Sequence, residues 1–359
     1  MTRYLLAGGG TAGHVNPLLA LADRIRATEP DSVIVVLGTK EGLEARLVPE
    51  RGYELVTIER LPFPRRPNGY ALSFPQRYRR AIAQTRELIR ERDIDIVVGF
   101  GGYASAPAYR AAKAEGIPSV IHEANAKPGL ANKLGARSAA RVGVTFAGTP
   151  IRGARVVGMP LRREVAELDL AETREEALAH FGLDPARRTL LVTGGSLGAK
   201  QINEAVSGAA GELVAAGNQV LHVWGGLNEL VDPGVEHYSV LPYCDRMDLA
   251  FAAADLVVSR AGSTTVSELT GLGLPAIYAP YSHGNGEQRF NAAGVVEAGG
   301  AIFVEDHELT PDWVRGNVLP LIADEARLAE LSRTARSVGV LDGTERLHAL
   351  VREALSARA

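Results

Sequence analysis

Residues 254–291 read ADLVVSRAGSTTVSELTGLGLPAIYAPYSHGNGEQRFN, and their pattern decides the fold. Leu256-Val257-Val258 is a short apolar run with the length and composition of a buried parallel strand. Arg260-Ala261-Gly262-Ser263 turns the chain, and residues 264–271 carry a helical pattern with Val266 and Leu269 on one face. A second apolar run, Ala276-Ile277-Tyr278-Ala279, lies between Pro275 and Pro280. Strand, glycine turn, helix and strand make a βαβ unit, and the free N–H groups at the start of its helix form an anion site. Glu268 stands one turn into that helix, where a carboxylate can accept both hydroxyls of a ribose. The same spacing fits a capping box, T-x-x-E, in which Thr265 and Glu268 satisfy the helix start between them.

Outward from this stretch the unit recurs. Strands are predicted over 4–7, 33–37, 56–58, 94–98, 119–121 and 142–145, the last closing a first half. Gly8-Gly9-Gly10-Thr11-Ala12-Gly13-His14-Val15-Asn16-Pro17 follows the first strand, and a helix is predicted from about 18 to 27. A second half restarts over 190–193, with Gly194-Gly195-Ser196-Leu197-Gly198 at its turn, and continues through 220–223 and 239–241 to the opening stretch. Two such sets predict an α/β protein of two doubly wound, Rossmann-like parallel-sheet domains, spanning 1–160 and 161–340. The joint falls near Gly158-Met159-Pro160-Leu161-Arg162, before a charged helix over 164–180. Residues 341–359 carry a helical pattern with Leu347, Leu350, Val351 and Leu355, and this helix is expected to pack back on the first domain.

Composition narrows the function. The chain has 359 residues, 46% of them hydrophobic, and a net charge of −3, so no global basic field argues for nucleic acid. One cysteine, Cys244, excludes an internal disulfide, and no Cys/His cluster or spaced carboxylate pair suggests a metal or other cofactor. The first residues read as a strand and not a signal peptide, and no run of 18 apolar residues occurs, so a cytosolic protein is expected. Gly8, Gly10 and Gly13 match G-x-G-x-x-G, a dinucleotide pattern that would make the chain an NAD-dependent enzyme. That rival lacks its acidic residue, because the second strand ends in Gly38-Thr39-Lys40 and Glu41 comes too late. Glycine turns in both halves instead suggest two cradles facing across a cleft, suited to a ligand with a central diphosphate and a second substrate opposite.

Six segments together carry a resemblance: GGGTAGHVNP from Gly8, GFGGYASAP from Gly99, HEANAKPGLANK from His122, GGSLGA from Gly194, RAGSTTVSE from Arg260 and EQRFNA from Glu287. In order, and over nearly the whole chain, they resemble the MurG family of UDP-N-acetylglucosamine:lipid I N-acetylglucosaminyltransferases. The resemblance implies a GT-B fold and inverting, metal-independent transfer of N-acetylglucosamine from UDP to the muramyl sugar of lipid I, yielding the lipid II of peptidoglycan synthesis. It implies that Glu268 holds the ribose hydroxyls and that Ser263, Thr264, Thr265, Val266 and Ser267 offer N–H groups to the diphosphate. Ser196 and Arg162 would contact phosphate, Gln288 and Asn291 the sugar, and the backbone at Cys244 the uracil. Thr11, Ala12, Gly13, His14 and Asn125 would reach in from the other domain. Two positions depart from the pattern: Ala12 stands where many members have Gly, and Glu287 where His or Gln is common.

Attack of a sugar hydroxyl on an anomeric carbon needs a base and charge stabilisation for the departing UDP. His14 is the expected base by type and place, although the same position suits a phosphate or backbone contact. His122 and Glu123 are further candidates, more simply read as an ordinary buried pair, and His283 lies in a glycine-rich loop. Between Arg60 and Arg80 the chain carries Arg60, Arg65, Arg66, Arg77, Arg79 and Arg80 and no acidic residue, interleaved with Leu61, Phe63, Tyr70, Leu72, Phe74 and Tyr78. Prolines 62, 64, 67 and 75 predict a loop there, with a helix over 77–90. This segment suggests an anionic membrane surface as a partner, with the protein peripheral on its cytoplasmic side; a solvated arginine face paired with acidic residues is the plainer alternative. Two other functions remain compatible with the sequence: a non-catalytic nucleotide-sugar binder, and a related transferase acting on another lipid or aglycone.

Overall fold

A computed structural model describes every residue except 65, 67, 196–197, 227–228, 282–285 and 358–359. The chain divides into two compact units, residues 1–162 with 342–359 and residues 163–341. In the first unit the order is β1 (Arg3–Ala7), α1 (Ala12–Thr28), β2 (Val33–Gly38), α2 (Glu44–Glu50), β3 (Glu54–Thr57), α3 (Gly69–Glu91), β4 (Ile96–Gly99), α4 (Gly102–Glu115), β5 (Ser119–Glu123), α5 (Leu130–Gly135), β6 (Arg141–Val144) and β7 (Ala154–Val156). The second runs α6 (Arg163–Ala166), α7 (Leu170–Phe181), β8 (Arg188–Thr193), α8 (Lys200–Ser207), α9 (Ala210–Ala215), β9 (Asn218–Val223), β10 (Tyr238–Leu241), α10 (Met247–Ala253), β11 (Leu256–Ser259), α11 (Ser263–Leu272), β12 (Ala276–Tyr278), α12 (Glu287–Glu297), β13 (Ile302–Phe303), α13 (Pro311–Trp313), α14 (Leu319–Ala323) and α15 (Glu325–Val338). The last helix, α16 (Gly343–Ser356), returns to the first unit.

The first sheet has strand order β3-β2-β1-β4-β5-β6-β7 and the second β10-β9-β8-β11-β12-β13, with every described pairing parallel. Each order reverses once, between β1 and β4 and between β8 and β11, which makes both sheets doubly wound. Strand alternation sorts the first core into two layers. Tyr4, Leu6, Val36 and Val98 pack with Leu18, Ile25, Leu347 and Val351 of α1 and α16. Leu5, Ala7, Val35 and Val97 pack with Ala81, Leu88, Ala104 and Ala108 of α3 and α4. Burial of this apolar surface, at about 25 cal/mol per Å², is what holds α16 to the far end of its own chain.

The structure corrects several expectations. Helix α1 begins at Ala12, six residues before the predicted start, and runs through Pro17. Helix α3 begins at Gly69, where Asn68 accepts a hydrogen bond from the Ala71 N–H at 3.0 Å, and it contains Pro75. Phe74, Tyr78 and Ile82 pack on the core, and that burial carries the helix past an exposed proline. The charged helix predicted over 164–180 is broken, because Asp169 leaves the helical backbone and caps α7 through the N–H groups of Ala171 and Glu172. Strand β7 has three residues, all exposed, and β13 has two; neither is long enough to have been readable as a strand.

Candidate active site

In the first unit the loops after β1 and β4 flank the reversal in strand order, and each leads into a helix N-terminus. The two glycine turns touch backbone to backbone: a Cβ on Gly102 would lie 2.5 Å from the Gly9 carbonyl oxygen. Ser105 ties the second turn to the sheet, its hydroxyl accepting the Gly101 N–H at 3.0 Å and lying 2.8 Å from the Ala7 carbonyl. Thr11 is the N-cap of α1, and Ala12, Gly13 and His14 form its first turn.

His14 is half-buried, with Nδ1 3.1 Å from the Gly9 carbonyl oxygen. A carbonyl only accepts, so Nδ1 carries the proton and Nε2 the lone pair, the arrangement a base requires. A Cβ on Gly101 would come within 3.0 Å of Nε2, and Gly101 has φ +95°, so glycine is needed there on both counts.

The other base candidates are engaged structurally. His122 is fully buried, with Nε2 3.0 Å from the Gly158 carbonyl; burial holds its pKa down to about 4, and it stays neutral. The Glu123 carboxylate, 2% exposed, accepts the N–H groups of Asn125 at 2.9 Å and Gly129 at 3.0 Å, and the Asn132 side-chain amide at 2.9 Å. It therefore pins the loop that carries Asn125. His283 lies outside the described residues.

In the second unit, α11 starts at the reversal between β8 and β11. Its N-cap is Gly262, and no side chain caps it. This overturns the capping box: Thr265 is the third residue inside the helix and Glu268 the sixth, too far along to reach the helix start. Glu268 is instead a carboxylate 7% exposed on the same face as Thr264, one turn away. Val266 is buried in the core and its N–H donates to the Gly262 carbonyl at 2.9 Å, while the Ser267 hydroxyl donates to the Ser263 carbonyl at 2.8 Å. The N–H groups expected to meet a diphosphate therefore reduce to those of the first turn, Ser263, Thr264 and Thr265. Asn291 donates its amide to the Ala261 carbonyl at 3.3 Å, and Gln288 Oε1 accepts the Tyr281 N–H at 2.9 Å. Both α12 residues thus brace the segments beside the glycine turn. Cys244 is buried in the loop after β10, and Arg162 closes the first unit. Ser196 lies outside the described residues.

Two residues that the sequence reading did not single out organise these turns. Arg260, buried, donates to the Ala279 carbonyl at 2.8 Å and pairs with Asp306, tying the end of β11 to that of β12. Glu44, fully buried, accepts the Gly10 N–H at 2.8 Å and the Thr39 N–H and hydroxyl at 2.9 and 2.8 Å. The first glycine turn therefore already carries an anion, which removes the dinucleotide reading of Gly8, Gly10 and Gly13, since a pyrophosphate would compete with a buried carboxylate for the same N–H. Only the lack of side chains at Gly9, Gly38 and Gly42 hinted at this, because a Cβ on any of them would strike Glu44.

Two doubly wound parallel sheets, each with glycine turns at its reversal point, are the units of the GT-B class of glycosyltransferases. Residues 4–144 match the glycosyltransferase family 28 N-terminal domain and residues 189–347 the family 28 C-terminal domain; the chain belongs to glycosyltransferase family 28. It is 62% identical over 359 residues, 100% of this chain and 98% of the other, to the UDP-N-acetylglucosamine--N-acetylmuramyl-(pentapeptide) pyrophosphoryl-undecaprenol N-acetylglucosamine transferase of Clavibacter michiganensis subsp. michiganensis. The protein of the same name from Leifsonia xyli subsp. xyli is 60% identical over 99% of this chain and 100% of its own length. Among solved structures, MurG of Acinetobacter baumannii superposes with a TM-score of 0.81 at 26% identity, over 98% of this chain and 100% of that one.

Proposed function

We infer that this chain transfers N-acetylglucosamine from UDP-N-acetylglucosamine to the muramyl sugar of lipid I, the undecaprenyl-pyrophosphoryl acceptor of peptidoglycan synthesis. The observation that carries this is identity of 60–62% along the full length of relatives so named. In the reaction, the acceptor hydroxyl oxygen forms a bond to the anomeric carbon from the face opposite UDP. The bond to the β-phosphate-linked sugar oxygen breaks, and UDP leaves with the electron pair. His14 Nε2 takes the hydroxyl proton, a role supported by its free lone pair and by the engagement of His122 and Glu123 elsewhere. Glu268 holds the ribose hydroxyls, and the N–H groups at Ser263, Thr264 and Thr265 meet the diphosphate where the α11 dipole favours negative charge. Gln288 and Asn291 contact the sugar, the Cys244 backbone reads the uracil, and Arg162 meets phosphate. No metal enters this scheme, because helix N–H groups receive the leaving-group charge.

The same reading places the protein peripherally on a membrane, through α3 and the loop before it. Among the described residues, no helix is long and apolar enough to cross a membrane. Leu72 is 86% exposed and Phe63 60%, and Arg66, Arg79 and Arg80 of the same segment are exposed as well. The rest of the segment is used internally. Phe74 packs edge-on to Phe63 and stacks with Tyr78, Arg60 lies over the Tyr103 ring, and Arg77 pairs with Glu59. The surface left for an anionic leaflet is therefore smaller than the sequence suggested, and Arg65 lies outside the described residues. Release of UDP from UDP-N-acetylglucosamine only when a lipid I analogue is added tests the activity. Equal release without acceptor, or none with it, refutes it.

A further inference from the structure

One peptide group, between Gly9 and Gly10, makes two hydrogen bonds in opposite directions. Its N–H, on Gly10, donates to Glu44 Oε2 at 2.8 Å. Its carbonyl, on Gly9, accepts from His14 Nδ1 at 3.1 Å. A peptide is planar and its N–H and C=O are conjugated, so an anion drawing on the hydrogen side increases the negative charge on the oxygen. Glu44 is fully buried and faces three donors: the Gly10 N–H, the Thr39 N–H and the Thr39 hydroxyl. That donor set matches an acceptor-only carboxylate. The room for it is made by backbone alone, since a Cβ on Gly9, Gly38 or Gly42 would lie 2.2, 2.5 or 2.0 Å from a Glu44 side-chain atom.

We propose that Glu44 is a positioning residue for His14, acting through this single peptide. The carboxylate polarises the Gly9–Gly10 amide, the strengthened Gly9 carbonyl holds the proton on Nδ1 and fixes the ring, and Nε2 is left as the bare nitrogen. A carboxylate commonly orients a catalytic histidine by direct contact; here the peptide stands between them. The consequence for catalysis rests on the reading of His14 as base.

The test is Glu44→Gln in the full-length protein, with ¹⁵N-histidine spectra assigned by the signal lost in His14→Gln. A glutamine is uncharged and has one acceptor oxygen, so the Gly10 N–H either faces the new NH2 and loses its bond or keeps a bond to a neutral oxygen. In both orientations the anion that polarises the peptide is gone. The His14 ring should change from one Nδ1–H tautomer to a mixture. The kcat should fall about 10–100-fold, part of the 10²–10⁴ a general base contributes, with the donor KM kept within about twofold. An unchanged ring tautomer in folded Glu44→Gln overturns the proposal, whatever happens to kcat. A mixed tautomer with kcat intact upholds the coupling and removes His14 from the chemistry instead. If Glu44→Gln does not fold, the unsubstituted protein decides: the Gly10 amide resonance should move with the titration of the His14 ring. A Gly10 amide indifferent to that titration overturns the relay.

Discussion

Glu123→Gln separates a loop anchor from a proton acceptor. The carboxylate is 2% exposed; one oxygen takes the Asn125 N–H, and the other takes the Gly129 N–H and the Asn132 amide. In the better orientation the glutamine oxygen keeps the Gly129 and Asn132 bonds, and the new NH2 faces the Asn125 N–H. One hydrogen bond to a charged acceptor is lost, about 1.5–3 kcal/mol. Asn125 is only half-buried, so its freed N–H can turn to water and the further penalty of an orphaned donor is small. For a unit of this size that loss lowers the melting temperature by roughly 2–4 °C per kcal/mol, or about 3–12 °C in all. Thermal unfolding followed with steady-state kinetics on the same preparation is the assay. An anchor role predicts the lowered melting temperature, with a raised KM as the loop carrying Asn125 loosens. A melting temperature unchanged alongside a kcat reduced by about 10² or more would mean that Glu123 handles the proton and does not anchor the loop.

Replacing Glu268 by Ala should raise the KM for UDP-N-acetylglucosamine by the equivalent of roughly 1.5–3 kcal/mol. Because Gly262 and not Thr265 caps α11, no capping loss should accompany it; an unchanged KM counts against the ribose contact. His14→Ala should cut kcat by about 10²–10⁴ with donor affinity nearly kept, as measured by kinetics and donor titration; weakened donor binding would indicate a phosphate contact. Arg79→Ser with Arg80→Ser should reduce co-sedimentation with anionic vesicles at low salt, at roughly 1 kcal/mol per charge, and binding to neutral vesicles with equal strength would refute the membrane surface. His122 and His222 are both held neutral by burial, with pKa values lowered to about 4 and about 3. Unfolded, each takes up a proton near pH 6.5, so the unfolded chain binds more protons below that pH and stability falls as pH drops from about 6.5 toward 4. Ring resonances of either residue that titrate near 6.5 in the folded protein would contradict this.

What the sequence determined by itself is what neighbouring residues settle among themselves. Apolar runs such as Leu190–Val192 and Leu256–Val258, each followed by glycine and a helical pattern, need no distant partner to read as strands entering turns, and their recurrence predicted two doubly wound sheets. The family resemblance was legible for a related reason, because five of its six segments follow strands as loops leading toward helices, and the sixth, EQRFNA, opens α12. Tertiary structure decided the rest. Whether Pro75 ends a helix depended on Phe74 and Tyr78 finding a core, and whether 154–156 forms a strand depended on the open edge of β6, not on its own side chains. Thr265 and Glu268 have capping-box spacing, yet the turn of the backbone at Gly262 had already started the helix. Glu44 is the sharpest case. Its Thr39, Gly38 and Gly42 neighbours are local, but its Gly10 partner is 34 residues away, and no side chain in the sequence marks that meeting. Periodicity records which face of an element is buried; which buried carboxylate meets which peptide is fixed only when the packed sheet brings separate loops to the same end.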